Sequence, residues 1–137
     1  SVTSIAEKIV PEEGAAERIK VAAADAVKGP LPGTYDAAVL KSVLQVLSAQ
    51  DARRAIQNVY DVLNPGGKLF IIGQILDDSR LSPLEAVGFN LAFINFFDSG
   101  ESYTDSEHRD WLTAAGFVDL ERSPLSDAGS LMTARKP

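Results

Sequence analysis

Hydrophobic and polar positions change period along this chain, and their order predicts a strand, a helix and a second strand. An uninterrupted apolar run at 37–40 is typical of a strand that helices cover on both faces. Apolar residues then recur at three- and four-residue steps from Ala52 to Leu63, as in an amphipathic helix. A Pro-Gly-Gly break at 65–67 precedes a second apolar run at 69–72. This order is the building unit of a parallel α/β sheet.

Two capping boxes predict where helices begin, because their side chains satisfy free N–H groups at a helix start. One box is Ser48 with Asp51, and the other is Thr104 with Glu107, ahead of a helix that places Trp111 in the core. The other predicted elements are an N-terminal helix within residues 1–14 that ends near Pro11, a strand at 18–24, an apolar segment at 84–97, and strands at 117–122 and 130–135 joined by residues 124–129.

Composition narrows the function classes. The 137 residues suit one domain, and a net charge of −6 without a basic stripe argues against a nucleic-acid partner. No apolar run is long enough for a membrane span, and no signal-peptide pattern opens the chain. The chain has no cysteine and one histidine, His108, which excludes disulfides, thiolate nucleophiles and multi-histidine metal sites. A cytoplasmic protein that needs no metal is predicted.

Six short motifs occur along the chain in a specific order. They are Arg18 to Val21 with Ala24-Asp25, Leu31-Pro32 with Tyr35-Asp36, Lys41, Leu63 to Gly67, Tyr103-Thr104 with Glu107, and Ala115 to Phe117. In this order they resemble the catalytic domain of class I S-adenosylmethionine-dependent O-methyltransferases, the small-molecule group with caffeate-type and polyketide-type members. The resemblance runs from about Glu17 onward. It implies an α/β fold: a Rossmann-like methyltransferase sheet, mostly parallel, with an antiparallel C-terminal hairpin.

The resemblance also implies that the first strands are missing. The sequence contains neither a G-x-G-x-x-G turn nor the acidic strand end that holds a ribose. Residues 1–137 are therefore expected to be the C-terminal portion of a longer methyltransferase domain, with an acceptor-site insertion at 83–98. The chain alone is expected to bind S-adenosylmethionine weakly or not at all. Because the strand near 19–23 lacks its partner, we expect a homodimer or association with the upstream segment.

The resemblance implies four cofactor-side residues. Asp25 and Ala26 correspond to the pair that lies against the adenine, and Lys41 and Ser42 follow the strand that passes the cofactor. Two alternatives remain open at this stage. Asp25 could cap a turn, and Lys41 could be a solvated charge.

The catalytic position departs from the family. Where members commonly have a histidine base, this chain has Gln45, which can orient a hydroxyl but cannot take up its proton. The supporting carboxylates fall at Gly73 and Ser102 and are also missing, although Glu101 is adjacent. Three explanations follow: an acceptor that is already acidic, a base from elsewhere, or a domain that binds without transferring methyl.

The apolar segment is expected to line the acceptor pocket, and the candidates there are Asn90, Phe93, Ile94 and Phe97. The same aromatics could instead pack against the sheet or a dimer partner. His108 lies on the face of Trp111, which favours a packing role over a catalytic one.

The predicted function is S-adenosylmethionine-dependent methyl transfer to a hydroxyl of a small apolar or aromatic molecule, with Gln45 orienting the acceptor. One alternative is a non-catalytic ligand-binding or assembly module of the same fold. The other is a different Rossmann-type enzyme, such as a reductase.

Overall fold

The protein folds into four helices and four strands, as seen in a computed structural model that describes residues 2–97, 99–125 and 129–137. The elements are, in chain order, α1 (Val2–Glu12), β1 (Tyr35–Lys41), a 3₁₀ turn (Leu44–Val46), α2 (Ala49–Val62), β2 (Leu63–Gly73), α3 (Leu84–Phe96), α4 (Asp105–Ala115), β3 (Val118–Pro124) and β4 (Ser130–Arg135).

The four strands form one sheet in the order β1-β2-β4-β3. β1 runs parallel to β2, and β4 runs antiparallel to both β2 and β3. Three strands therefore share one direction and only β4 opposes them. The predicted sheet, mostly parallel with an antiparallel C-terminal hairpin, is confirmed.

The predicted crossover helix forms as the capping motif indicates. The Ser48 hydroxyl accepts a hydrogen bond from the Asp51 N–H at the start of α2. Ala52, Ile56 and Val59 lie on the buried face of this helix and join the core with the inward residues of the sheet. The second capping box, between Thr104 and Glu107, opens α4 with both of its hydrogen bonds.

Two predictions for the first half of the chain are wrong. Residues 18–24 form no strand, and β1 is not buried on both faces, since Val39 is 61% exposed. Both errors have the same cause. A strand needs a neighbour to complete its hydrogen-bond ladder, and among the described residues β1 is paired on one edge only, with β2. Nor does α1 bury any residue against the rest of the described chain.

The Pro-Gly-Gly break lies inside β2 rather than before it. Leu63 pairs opposite Tyr35, and the next paired residue is Lys68, opposite Ala37, so residues 64–67 form a bulge. Gly66 has a φ of +81°, which favours glycine, and its N–H bonds to the Lys136 carbonyl at 2.9 Å. The bulge therefore ties β2 to the chain just beyond β4.

Several predicted features extend beyond the described residues. The predicted helix within 1–14 includes residue 1, the insertion at 83–98 ends on residue 98, and the joint at 124–129 includes residues 126–128. Their described parts agree with α1, α3 and the β3–β4 hairpin. Across the described ranges, the structure contains no helix that is both long and apolar enough to cross a bilayer.

Candidate functional site

The candidate site lies where β1 and β2 end, at the carboxyl edge of the parallel pair. The chain leaves β1 through Lys41 and Ser42, both of which are exposed. Ser42 has a φ of 55°, in the left-handed region, and its N–H donates to the Ile72 carbonyl at 2.8 Å. Non-glycine residues rarely adopt this conformation, which marks the position for a functional role. The turn leads directly into the 3₁₀ turn that carries Gln45.

Gln45 is seated against the end of β2. Its Oε1 accepts a long hydrogen bond, 3.4 Å, from the Gln74 N–H. A Cβ on Gly73 would lie only 2.5 Å from the same oxygen, so this seat exists because residue 73 has no side chain. Within the described part of the chain, the Nε2 of Gln45 has no hydrogen-bond acceptor. The amide therefore has two N–H groups available for a ligand.

A cavity of about 10 Å³, room for one water molecule, lies beside Gln45. Tyr103 and His108 are the two titratable groups on its wall, and the C-terminal half of β2 forms the other side. The Tyr103 hydroxyl donates to the Leu47 carbonyl at 2.7 Å, and burial raises the pKa of this phenol to about 12. Tyr103 is therefore a fixed, neutral donor near neutral pH.

His108 is a packing residue that reaches the same cavity. It is 3% exposed and packs against the Tyr103–Trp111 ring pair, with ring centroids 6.4 Å and 5.5 Å away. Its Nδ1 lies 2.8 Å from the Thr104 carbonyl, which can only accept, so Nδ1 carries the proton. Burial lowers the pKa of His108, and the ring stays neutral at pH 7.

A pH dependence of stability follows from this lowered pKa. Because the folded ring resists protonation, its stabilising contribution is complete above the unfolded pKa of about 6.5. It is lost as the pH falls from there toward the lower folded pKa. We expect the free energy of unfolding to fall more steeply below about pH 6.5 in the parent chain than in His108→Phe. Urea titrations at several pH values measure it, and equal slopes in the two proteins would contradict the prediction.

α3 presents the predicted acceptor-side residues on an apolar helix. Phe93 stacks between Phe89 and Phe97, with both centroid distances at 6.1 Å, and Ile94 is 57% exposed. Asn90 accepts a hydrogen bond from the Ser102 N–H at 2.7 Å, so its carbonyl oxygen already holds the segment after α3 in place. Ala86 is the one described residue of α3 that is buried. An apolar surface therefore stays exposed on α3.

Gly100 brings the end of this apolar segment against Gln45. A Cβ on Gly100 would lie 2.6 Å from the Gln45 carbonyl oxygen, 3.0 Å from the Val46 Cα and 3.2 Å from the Phe97 Cβ. The backbones approach closely because position 100 has no side chain. The structure thus brings together two predicted site residues, Gln45 and Phe97.

Arg80, which precedes α3, is bonded to two carboxylates that follow α3 in the chain. Its guanidinium donates to both carboxylate oxygens of Glu107, at 2.8 and 2.9 Å, and to Glu101 at 3.1 Å. Glu101, the carboxylate next to Ser102, is therefore directed to Arg80 and is not among the residues on the wall of the Gln45 cavity. The Ser102 hydroxyl is buried and has no partner within the described ranges.

Asp25 and Ala26 form hydrogen bonds in the turn that follows residues 18–24. The Asp25 carboxylate caps its own turn by accepting from the N–H groups of Val27 and Lys28, and the Val27 bond contributes most to its lowered pKa. The Ala26 carbonyl accepts from Asn58 of α2 at 2.7 Å. Neither residue is on the wall of the Gln45 cavity. The structure brings Gln45 and Phe97 close to Gly100. Lys41 and Ser42 lie near Gln45 in sequence, and like Asp25 they are not on the wall of its cavity.

Sequence reasoning misses the positive role of two glycines. From the sequence, Gly73 marks only a lost carboxylate, and Gly100 has no predicted role in the site. The structure shows that each creates a close approach to Gln45. A glycine at the end of an apolar strand run is a signal for such an approach. It does not reveal which side chain fills the space.

The family described as O-methyltransferase domain matches residues 1–118. The chain is 27% identical over 121 residues to the tetracenomycin polyketide synthesis 8-O-methyl transferase of Streptomyces glaucescens, covering 88% of this chain and 35% of that protein. It spans about a third of the length of the curated relatives it matches.

Solved structures agree with the fold. An O-methyltransferase family 2 protein from Planctomyces limnophilus, in complex with apigenin, is 26% identical with a TM-score of 0.88, and the match covers 98% of this chain and 40% of that one. Human N-acetylserotonin methyltransferase, in complex with S-adenosylmethionine, is 27% identical with a TM-score of 0.79, and here the coverage is 88% and 34%.

Proposed function

The chain belongs to the O-methyltransferase domain family, and from this premise we propose that it forms the acceptor side of an S-adenosylmethionine-dependent O-methyltransferase. The acceptor is a small apolar or aromatic molecule with a hydroxyl group. One observation carries the proposal: the side chain of Gln45, an amide with free N–H groups, lies at the end of β2, and the Gln45 carbonyl and the Phe97 Cβ both lie close to Gly100. Ligand sites of α/β folds lie at this edge.

The open carboxyl edge fits a cofactor on one side. Lys41 and Ser42 are exposed there, and the chain turns at Ser42 through a left-handed conformation. The Asp25 Oδ1 accepts from the N–H groups of Val27 and Lys28, whereas its Oδ2 is paired, among the described residues, only with the exposed Lys28 ammonium and keeps capacity to accept from a cofactor. Bound S-adenosylmethionine supplies a methyl group on a sulfonium, which passes to the acceptor oxygen as the S–C bond breaks and sulfur keeps its electron pair.

The residues of this chain supply orientation and exclusion of water. The aromatic series of α3, with Phe93 and Phe97, offers an apolar surface for the acceptor ring, and Ile94 extends it. Asn90 keeps the segment after α3 in place through Ser102. Gln45 then holds the acceptor oxygen by hydrogen bonding, and orientation of this kind accelerates a bimolecular step. The proposal includes a cytoplasmic location and a homodimer.

Methyl transfer is tested with the longest polypeptide in which these residues are encoded. We expect radiolabelled methyl to pass from S-adenosylmethionine to one or more phenols or hydroxylated aromatics. Calorimetry with S-adenosylmethionine is the parallel measurement, and no binding would remove the proposal. Cofactor binding without transfer to any acceptor would instead favour a non-catalytic module. This alternative is specific, because Gln45 stands where family members commonly have a histidine base.

A further inference from the structure

The orientation of the Gln45 amide is fixed by its neighbour. The Gln74 backbone N–H can only donate, so the atom it faces must be the amide oxygen. That oxygen is also the atom nearest the open space at Gly73, whereas the amide nitrogen is not within 4 Å of the position that a Cβ would take there. The end of Gln45 that remains free is therefore the donor end.

The described wall of the cavity offers one side-chain nitrogen that could receive a proton, Nε2 of His108, and burial disfavours its protonation. Among the described lining residues, only Tyr103 and His108 titrate. The Tyr103 hydroxyl is committed to the Leu47 carbonyl, and the His108 ring is almost fully buried with its Nδ1 proton committed to Thr104. Burial of that ring disfavours its charged form. Glu101 of the neighbouring segment is paired with Arg80.

A hydrogen-bond donor whose neighbouring base resists protonation has a definite chemical preference. An amide N–H stabilises a negative oxygen more than a neutral hydroxyl, because hydrogen bonds to charged partners are shorter and about twice as strong. A neutral hydroxyl would also have to lose its proton during transfer, and on the described wall the one base is the His108 ring, whose charged form burial disfavours.

We propose, on the basis of the function proposed above, that the acceptor is an acidic phenol or enol that is bound as its anion, with Gln45 donating to the oxygen. The proton leaves to solvent before the acceptor binds. In the transfer step the anionic oxygen forms the O–C bond with its own electron pair. The S–C bond breaks, and no proton moves within the site. Gln45 therefore selects acceptors by their acidity.

The inference is tested by spectroscopy in a complex that cannot react. The longest polypeptide that contains these residues is saturated with S-adenosylhomocysteine, and para-nitrophenol is added as the probe because its anion absorbs visible light. We expect the ionisation constant of the bound phenol to be about tenfold higher than that of the free phenol, the effect of one hydrogen bond to a charged group. Gln45→Leu is expected to remove that tenfold increase.

Two further variants give matched controls. Gln45→Glu keeps the shape but places a carboxylate beside the phenol, and we expect it to favour the neutral form. Gln57→Glu adds the same charge on the exposed side of α2, where Gln57 bonds to Asp61, and it should leave the ionisation of the phenol unchanged. Thermal melting of each variant confirms that it folds.

An ionisation constant that Gln45→Leu leaves unchanged would overturn the inference. The inference would also be overturned if His108→Gln, and not Gln45→Leu, abolished binding of the phenol as its anion. The histidine would then control the ionisation of the phenol. The inference would also be overturned if the protein methylated an alcohol that does not ionise and rejected every acidic phenol. That result would leave the proposed methyl transfer intact. Failure to bind S-adenosylhomocysteine would remove the proposed function itself.

Discussion

Replacing Gly73 by alanine is expected to lower kcat/KM for methyl transfer about a hundredfold while the protein stays folded. A Cβ at this position would lie 2.5 Å from the Oε1 of Gln45, too close for both to remain. The amide is the end of a flexible side chain, so it can rotate away at little cost to stability. The rotated amide then loses the hydrogen bond from Gln74 and no longer points its N–H groups at the acceptor oxygen. Steady-state kinetics with a phenol acceptor measures the effect.

A matched glycine replacement separates this effect from a general one. Gly88 lies in α3, and a Cβ added there would meet no atom within 4 Å. Gly88→Ala should therefore keep full activity and stabilise the helix by about 0.5–1 kcal/mol. Equal activity in Gly73→Ala and the parent protein would show that the seat of Gln45 does not matter for transfer.

Gly100→Ala is expected to destabilise the protein by about 3 kcal/mol, at the upper end of the usual cost of overpacking. Unlike the contact at Gly73, the new methyl group would meet backbone atoms, the Gln45 carbonyl oxygen at 2.6 Å and the Val46 Cα at 3.0 Å. Backbone cannot rotate away, so the 3₁₀ turn and the end of α3 must separate. Urea unfolding measures the loss, and activity should fall with it because Phe97 moves away from Gln45.

The control for this replacement is Gly129→Ala, whose Cβ would find its nearest neighbour at an ordinary 3.6 Å. We expect its stability to stay within about 0.5 kcal/mol of the parent. If Gly100→Ala were equally mild, the close packing of the 3₁₀ turn against α3 would not contribute to the fold.

The elements with local signals could be predicted from the sequence. The capping motifs at Ser48 and Thr104 place the starts of α2 and α4 where the structure has them. The buried positions of α2 follow from its own periodicity. Such predictions succeed because the hydrogen bonds and the apolar stripe involved are set by residues a few positions apart.

Features that depend on distant partners could not be predicted in this way. Residues 18–24 have the composition of a strand, but they form no ladder with any described strand. The seat of Gln45 depends on Gly73 and Gln74, which lie almost thirty residues further along the chain. From the sequence alone, Gln45 is only a residue that cannot act as a base. The contacts with Gly73 and Gln74 orient its amide so that the N–H groups are free to donate.

The position of β4 has a consequence for how this domain assembles. β4 is the last of the four strands to be synthesised, yet it lies between β2 and β3 and pairs with both. Until residues 130–135 are available, β3 has no partner and β2 has one unpaired edge. Contacts between segments so far apart along the chain slow folding. On a translating ribosome, β1 and β2 can therefore pair first, and the sheet would be completed late, when β4 inserts between β2 and β3.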